Sequence, residues 1–491
     1  MRRFYLLWTF LFYITFTVAC PMGVNSATLP SSTNVVDLED DKDIKAFPGA
    51  LGFGTNTPGG RGGRVIYVTN LDDSGPGSLR DALTATGRRM VLFSVSGTID
   101  LKDNITIFSP YLTVAGQTAP GEGVQIRGGH IRIATHDVII RYLKIRSGDD
   151  GGRSENADRD AITVNQEKQA YNIVIDHCTL IWGPDIGGLS FLNDAHDATV
   201  SYSIMGEGLY VSKHPEANAR SSGHSMSMNI TELDSKRFPS RITVHHNLLT
   251  TSADRNPRVI GGENIDIVNN VIYNWRYSPS QGNPRSLNLI NNYYIPGPMT
   301  DIPEALAGWI PKVEAGGSLR KGAVYESGNL AVGFTEIRGR PQSVYASEPF
   351  TPYSMPDEDS PQKAYIKVVG RVGANLQVAD TDGSFKTRRD IIDRRIIFNL
   401  VGRSGAFLNG EKTDGTSNFS VITWPDLNSG PAALDKDQDG MPDEWERMYF
   451  DNTQRQGAPD DSSSDWDRDG YTDLEEYLNQ TDPTKKESLK K

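Results

Sequence analysis

Between about residues 90 and 295 short apolar runs alternate with polar positions and are broken by Asn, Gly and Asp. The runs are Leu112-Thr113-Val114, Val138-Ile139-Ile140-Arg141-Tyr142, Ile173-Val174-Ile175-Asp176-His177-Cys178, Thr199-Val200-Ser201-Tyr202-Ser203, Ile242-Thr243-Val244-His245-His246-Asn247, Ile265-Asp266-Ile267-Val268-Asn269-Asn270 and Leu287-Asn288-Leu289-Ile290-Asn291-Asn292. Alternation with period two marks strands that bury one face. The last three start at 242, 265 and 287, steps of 23 and 22 residues, the size of one solenoid coil. The longer steps from 173 to 199 and from 199 to 242 predict loops inserted between strands. One coil cannot bury its own apolar face, whereas stacked coils share a continuous core. Aligned on this period, Ser203, Asn247, Asn270 and Asn292 stack, and inward Asn side chains can hydrogen-bond along such a stack. An ordinary β-sandwich is the alternative. The stacked Asn at a coil-length period favour an all-β, right-handed parallel β-helix.

The flanks read differently. Ala46 to Gly63 is Gly-rich and leads into the strand-like Val65-Ile66-Tyr67-Val68. A turn then precedes a short helix at Leu79-Arg80-Asp81-Ala82-Leu83, with Ser78 as its cap. From about 300 to 430 the repeat fades. A Pro- and Ser-rich stretch at Tyr345–Gln362 predicts a long loop, and the charged stretch Arg388–Arg395 predicts a helix closing the solenoid. Beyond 430 the composition shifts to Asp and Glu, which predicts a separate module. At the other end Arg2 and Arg3 precede the apolar stretch Phe4–Ala19, too short and too poorly flanked for a membrane span. It ends in Thr17-Val18-Ala19-Cys20, similar to a bacterial lipoprotein signal in which Cys20 is lipidated. Ordinary cleavage near Ala27 is the alternative. The predicted organisation is a targeting segment over 1–20, a polar leader over 21–45, the β-helix over 46–430 and the acidic tail over 431–491. Either route exports the chain, as an outer-membrane lipoprotein or to the periplasm or exterior. With Cys20 lipidated or removed only Cys178 remains, so no intrachain disulfide forms.

Charge narrows the partners. Over 491 residues the formal net charge is −12 with a pI near 5.2, which argues against nucleic acid, whose binding needs a basic face. Membrane contact is expected only through an N-terminal lipid, and the chain is expected to act as a monomer. A polyanion can still be bound where local Arg, Lys or cations supply the attraction.

Three clusters inside the repeats could supply it. Asp158 and Asp160, at i and i+2 on an expected strand, would present their carboxylates to one side, an arrangement that Ca²⁺ stabilises; a solvated pair in a turn is the plainer reading. Asp185, after Trp182-Gly183-Pro184, could add a ligand from the next coil. Asp176-His177 in an apolar strand reads as a structural hydrogen-bonded pair rather than a catalytic one. Arg255 and Arg258, in Asp254-Arg255-Asn256-Pro257-Arg258, suit bidentate recognition of carboxylates.

The order of D-R-D-A-I, V-I-D-H-C and R-N-P-R along a β-helix resembles pectate lyases of polysaccharide lyase family 1. Pro48-Gly49-Ala50, the Gly59–Gly63 run and the Ser78–Leu83 stretch also resemble its bacterial members, and the likeness spans about residues 45 to 405. The resemblance implies β-elimination on polygalacturonate, an acidic polysaccharide. It assigns Asp158, Asp160 and Asp185 to Ca²⁺, Arg255 to the Brønsted base that removes the C5 proton, and Arg258 to a substrate carboxylate. His224 stands where the family commonly has a substrate-binding Lys, with Lys213 upstream as the other candidate. Where the family has a second carboxylate near Asp185 this chain has Ile186-Gly187-Gly188, and Ile260 replaces the last Arg of the family's Arg motif. Two rivals remain at this level: a β-helical glycoside hydrolase, which needs two carboxylates flanking the bond, and a noncatalytic pectin-binding protein.

In the tail Asp435, Asp437, Asp439, Gly440, Asp443 and Glu446 occupy positions 1, 3, 5, 6, 9 and 12 of a calcium loop. Asp465, Asp467, Asp469, Gly470, Asp473 and Glu476 repeat it thirty residues on. Alternating Asp surrounds one ion, Gly permits the sharp turn and the distal Glu closes the shell. The tail resembles EF-hand-like and thrombospondin type-3 repeats and is expected to bind Ca²⁺ in a structural rather than catalytic role.

Overall fold

The computed structural model describes residues 44–149, 159–164, 170–219, 223–234, 236–301, 308–313, 317–334, 341–355, 357–411, 418–450 and 461–486. Its body is a right-handed parallel β-helix of three sheets with ten, nine and eight strands, here sheets I, II and III. One coil shows the plan. Tyr171–Asp176 belongs to sheet I, Thr179–Ile181 to sheet II and Leu189–Leu192 to sheet III, and the chain returns to sheet I at His196–Ser201. Each strand pairs in parallel with its equivalents one coil away, as Ile175 does with Ile140 and Val200. The seven runs recognised in the sequence all fall in sheet I.

Alternation sends one set of side chains to the interior. In Thr179-Leu180-Ile181, Leu180 joins the solenoid core, whereas Ile181 faces outward and packs under helices Pro361–Arg371 and Ile391–Gly402. The second of these helices was expected to close the solenoid, but it lies along the outside of sheet II. Its apolar residues Ile396 and Leu400 cover the outward Ile181, Ile204 and Leu248. Buried Arg146 ties it down, donating to Asp390 at 2.8 Å and Asp393 at 3.0 Å. The N-terminal end of the core is instead plugged by helix Leu79–Thr84, whose cap Ser78 accepts the Asp81 amide at 3.2 Å and whose Leu79 and Leu83 are fully buried.

The bend between sheets I and II repeats almost unchanged. A residue in the left-handed region (Tyr202, His246, Asn269, Asn291, Gly328) precedes each rung, and Tyr142 and His177 hold the same place in two earlier coils. The rungs themselves run Ser203, Asn247, Asn270, Asn292, Asn329. Asn247 Nδ2 donates to Asn270 Oδ1 at 3.0 Å, and Asn270 Nδ2 donates to Asn292 Oδ1 at 3.0 Å and to the Val244 carbonyl at 2.8 Å. Outside the ladder the rings of Tyr142, His177, Tyr202 and His246 stack at 4.9–5.0 Å between centroids.

The acidic tail packs on the outer face of sheet I. Met441, Leu474, Tyr477 and Leu478 bury Met90, Leu92 and Ala115. Glu475 accepts from Arg61 at 2.8 Å in the Gly-rich N-terminal segment, and Asn479 accepts from Arg141 at 2.6 Å.

Candidate active site

The bend between sheets II and III carries the candidate chemistry on successive coils. Asp160 precedes strand Ile162–Val164, Asp185 lies between Thr179–Ile181 and Leu189–Leu192, and Lys213 and His224 lie between Ile204–Gly206 and Met228–Thr231. Arg255 lies between Leu248–Thr250 and Arg258–Ile260. Residues far apart in sequence thus meet because each coil returns the same bend to the same place.

Asp160 was expected on a strand, but the strand begins two residues later at Ile162. Its buried carboxylate braces the bend instead. Oδ2 accepts from Thr163 Oγ1 at 2.9 Å, and Oδ1 accepts the Ile186 amide of the next coil at 3.2 Å. Asp158 and Cys20 lie outside the described residues. Ile186, in place of the family's second carboxylate, is buried, and so is Ile260.

Arg255 is half-buried in the left-handed region (φ 57°), and its carbonyl accepts the Met228 amide at 2.9 Å. Arg258, half-buried at the start of its strand, has its guanidinium pushed down to about 10, first by burial and then by Arg255. Asp254 and Asp185 oppose that shift, so both carboxylates lie in the field of this Arg pair. Lys213 is half-buried and donates its amide to Asp149 at 3.1 Å.

His224 is buried, with Nε2 3.6 Å from Asp185 Oδ1 and 3.5 Å from Glu216 Oε2. Burial first, then His214 and Arg255, push its pKa down to about 4. His214 stacks on it at 4.2 Å and holds Nε2 3.9 Å from Asp185 Oδ1. His214 and Glu216 escaped the sequence reading because they sit in an inserted loop that follows no coil-length repeat. A His two residues before a Glu, with a second His ten residues after the first, was the available signal.

Asp176 and His177 sit elsewhere, on sheet I, and form a structural cluster. Asp176 accepts from His177 at 2.7 Å, Ser201 at 2.7 Å and Arg141 at 3.0 Å. Although burial opposes it, these partners hold the carboxyl well below its ordinary range, the His177 and Arg141 charges first.

In the tail the two loops adopt the same geometry. Asp435 accepts the Gln438 and Gly440 amides at 2.7 and 2.9 Å, and Asp465 accepts the Arg468 and Gly470 amides at 2.7 and 2.9 Å. Gly440 and Gly470 both have φ 102°, which side-chain-bearing residues rarely adopt. Asp435, Asp437 and Asp439 converge, as do Asp465, Asp467 and Asp469. The ninth-position Asp443 and Asp473 accept the amides of Lys436 and Trp466 at 3.0 Å and so brace their loops. At the distal positions Glu446 is buried, and Glu476 is buried with neither oxygen hydrogen-bonded among the described residues.

No family model matches the chain. A protein of Aspergillus flavus named "Probable pectate lyase C" is 31% identical over 453 residues, covering 90% of this chain and 95% of that one. The protein of the same name in Aspergillus fumigatus is 31% identical over 459 residues, covering 90% and 94%. Among solved structures, a pectate lyase variant of Bacillus subtilis superposes with a TM-score of 0.47 at 19% identity, over 68% of this chain and 98% of that one. At 31% identity to the two Aspergillus proteins, over 90% of its own length, the chain belongs to the pectate lyases, a family of polysaccharide lyases.

Proposed function

We propose that the chain cleaves polygalacturonate by β-elimination, with Arg255 as the base and Arg258 holding a uronate carboxylate. The observation that carries this reading is that Arg255 and Asp185, two coils apart on the same bend, both act on the Arg258 guanidinium in a chain of this family. In its neutral form Arg255 takes the proton from C5, α to the carboxylate. The electron pair becomes the C4–C5 double bond, the bond from C4 to the glycosidic oxygen breaks, and that oxygen takes a proton from solvent. Negative charge developing on the uronate is offset by the neighbouring guanidinium. Arg is a weak source of neutral base near pH 7 because its pKa exceeds ~12, so turnover should favour alkaline pH.

In this family's chemistry a bound calcium ion would supply further charge stabilisation. The described donors around Asp185 do not by themselves compose the six to eight oxygens that Ca²⁺ takes. Asp160 serves Thr163 and Ile186, and two imidazoles face Asp185, so no step above uses the ion. The tail fits calcium better. Glu476 is pushed up to about 9, first by burial and then by Asp467 and Asp469. A buried carboxylate with no hydrogen bond beside converging carboxylates calls for a cation. We assign the tail a structural calcium role on that ground, and export of the chain on the character of residues 1–20.

The test is the full chain on polygalacturonate, followed by ultraviolet absorbance of the unsaturated product. Release of reducing ends without that absorbance would mean hydrolysis, and binding without either product would mean a noncatalytic protein.

A further inference from the structure

We propose that Asp185, His214 and His224 bind a divalent cation of the imidazole-preferring class, such as Zn²⁺, at the bend between sheets II and III. This site is separate from both oxygen-only loops of the tail. The proton on His224 has a defined place. Its Nδ1 lies 3.2 Å from the Pro184 carbonyl oxygen, which can only accept, so Nδ1 carries the hydrogen there. In the neutral ring Nε2 then presents a lone pair. That lone pair faces two carboxylate oxygens, Asp185 Oδ1 at 3.6 Å and Glu216 Oε2 at 3.5 Å. The imidazole is buried while Asp185 and Glu216 reach solvent at 25% and 51% exposure, and a buried acceptor facing two carboxylates is matched by a cation between them, either a proton on Nε2 or a metal ion.

The spacing suits the metal. The ligand atoms of Asp185, His214 and His224 all lie within 4.8 Å of one another. With bonds of ~2.0–2.1 Å, neighbouring donors around a tetrahedral ion stand about 3.3 Å apart, and the two imidazoles stand at 3.6 and 3.9 Å from Asp185 Oδ1, so binding draws the three ligands together. The Pro184 carbonyl orients His224 in the way an outer-shell acceptor orients a metal-bound imidazole. Two nitrogens and a carboxylate select Zn²⁺ or its neighbours over Ca²⁺, which takes oxygen. Three protein ligands leave a coordination position for water or a uronate oxygen. Binding has an identifiable cost: His214 Nδ1 accepts the Glu216 amide at 3.2 Å, and this contact must break as the ring's proton moves from Nε2 to Nδ1. Arg255, close enough to depress His224, also opposes the ion, and the carboxylates of Asp185 and Glu216 offset it.

The experiment reads metal binding alone and is therefore independent of whether the chain proves to be a lyase. The full chain is stripped with chelator, saturated with Ca²⁺ to fill oxygen-only sites, and titrated with Co²⁺ while the visible ligand-field bands are recorded. One calcium-resistant equivalent of Co²⁺ with bands of a nitrogen- and oxygen-ligated, low-coordinate ion is expected. His224→Gln should remove the bands. His214→Gln, which lies nearer the surface and guards against a folding failure at His224, should weaken binding at least about tenfold. Absence of calcium-resistant Co²⁺ binding, or bands that persist unchanged in either folded variant, would overturn the proposal.

Discussion

The two bends that flank sheet II are built on opposite plans. Between sheets I and II nearly every coil lays down the same rung, with a left-handed residue and then a small polar side chain whose donors and acceptors are met by the rungs beside it. Between sheets II and III the described site coils carry different groups. Asp160, Asp185, His224 and Arg255 follow one another, the loops differ in length, and like groups face like. A ladder gains from repetition because each Asn completes its neighbour. A reactive site needs different groups brought together, and the solenoid supplies the position without dictating the residue. The first bend therefore holds the fold, and the second is available for chemistry.

The most severe test of that division is Arg255→Lys. A positioned base contributes ~10²–10⁴-fold to rate, so turnover on polygalacturonate should fall by that order while the melting temperature stays within a degree or two of the parent. Near-parental turnover would remove Arg255 from the role of base. A comparable loss of stability would mean that the second bend also carries the fold.

Calcium removal should do the reverse, because the tail packs on sheet I and its helix Asp473–Asn479 holds Arg61 and Arg141. Saturating ion stabilises by ~2.7 kcal/mol at a hundred times Kd. The effect should depend on pH in a definite direction. Without metal the folded state keeps Glu476 protonated up to about 9 against an ordinary 4.5, and Asp467, pushed up by burial and by Asp469, behaves likewise up to about 6. Between those values the folded chain binds more protons than the unfolded one. The contribution of these two groups to metal-free stability is therefore full below pH 4.5 and is lost as the pH rises towards 9. With calcium bound these carboxylates are already ionised and the decline should vanish. Melting curves in chelator and in calcium should diverge steadily from pH 5 to 9; parallel curves would mean that the loops bind no ion.

Asn270→Ala tests the ladder itself. It removes the group that accepts the Asn247 amide at 3.0 Å and donates to the Val244 carbonyl at 2.8 Å, both buried. An unsatisfied buried partner costs about 1–3 kcal/mol, so the melting temperature should fall while turnover below the transition is kept. Lost turnover in a fully folded variant would couple the two bends and break the comparison.

How far each bend could be read from the sequence follows from the same contrast. The ladder was legible because sheet I strands such as Tyr171–Asp176 run long enough to alternate and are followed at fixed distance by Ser203, Asn247, Asn270 and Asn292. Strands of sheets II and III were missed: three-residue elements such as Ile204–Gly206 are too short to show a period. At the second bend Arg255, Arg258, Asp185 and His224 carried a motif, but His214 and Glu216 did not. Nor could sequence say which way Asp160 turns, since an i, i+2 spacing has directional meaning only once the strand's first residue is known. The helix Ile391–Gly402 was found by its charge and misplaced, because the outward Ile181, Ile204 and Leu248 that it covers belong to those unseen strands.

The smallest expected effect sharpens the ladder's account at its own margin. One coil before Ser203 the rung is filled by Cys178, whose Sγ lies 3.6 Å from the Ile140 carbonyl and 3.5 Å from that of Asp176. These carbonyls match the two that Asn270 meets through Nδ2, at Val244 and Val268. The thiol thus occupies an Asn position with a weaker donor. Burial pushes its pKa up to about 12, so it keeps its single hydrogen and can serve one carbonyl at a time. The preceding coil has Leu143 at this place, which offers no side-chain group to be completed. Cys178→Ala should therefore cost only a weak S–H contact and one sulfur's worth of packing, about 1 kcal/mol, and Cys178→Ser should recover part of it. Thermal denaturation of these two variants beside Asn270→Ala decides what a rung contributes. If Cys178→Ala were as damaging as Asn270→Ala, the ladder would hold the fold by filling space, and its hydrogen bonds would be incidental.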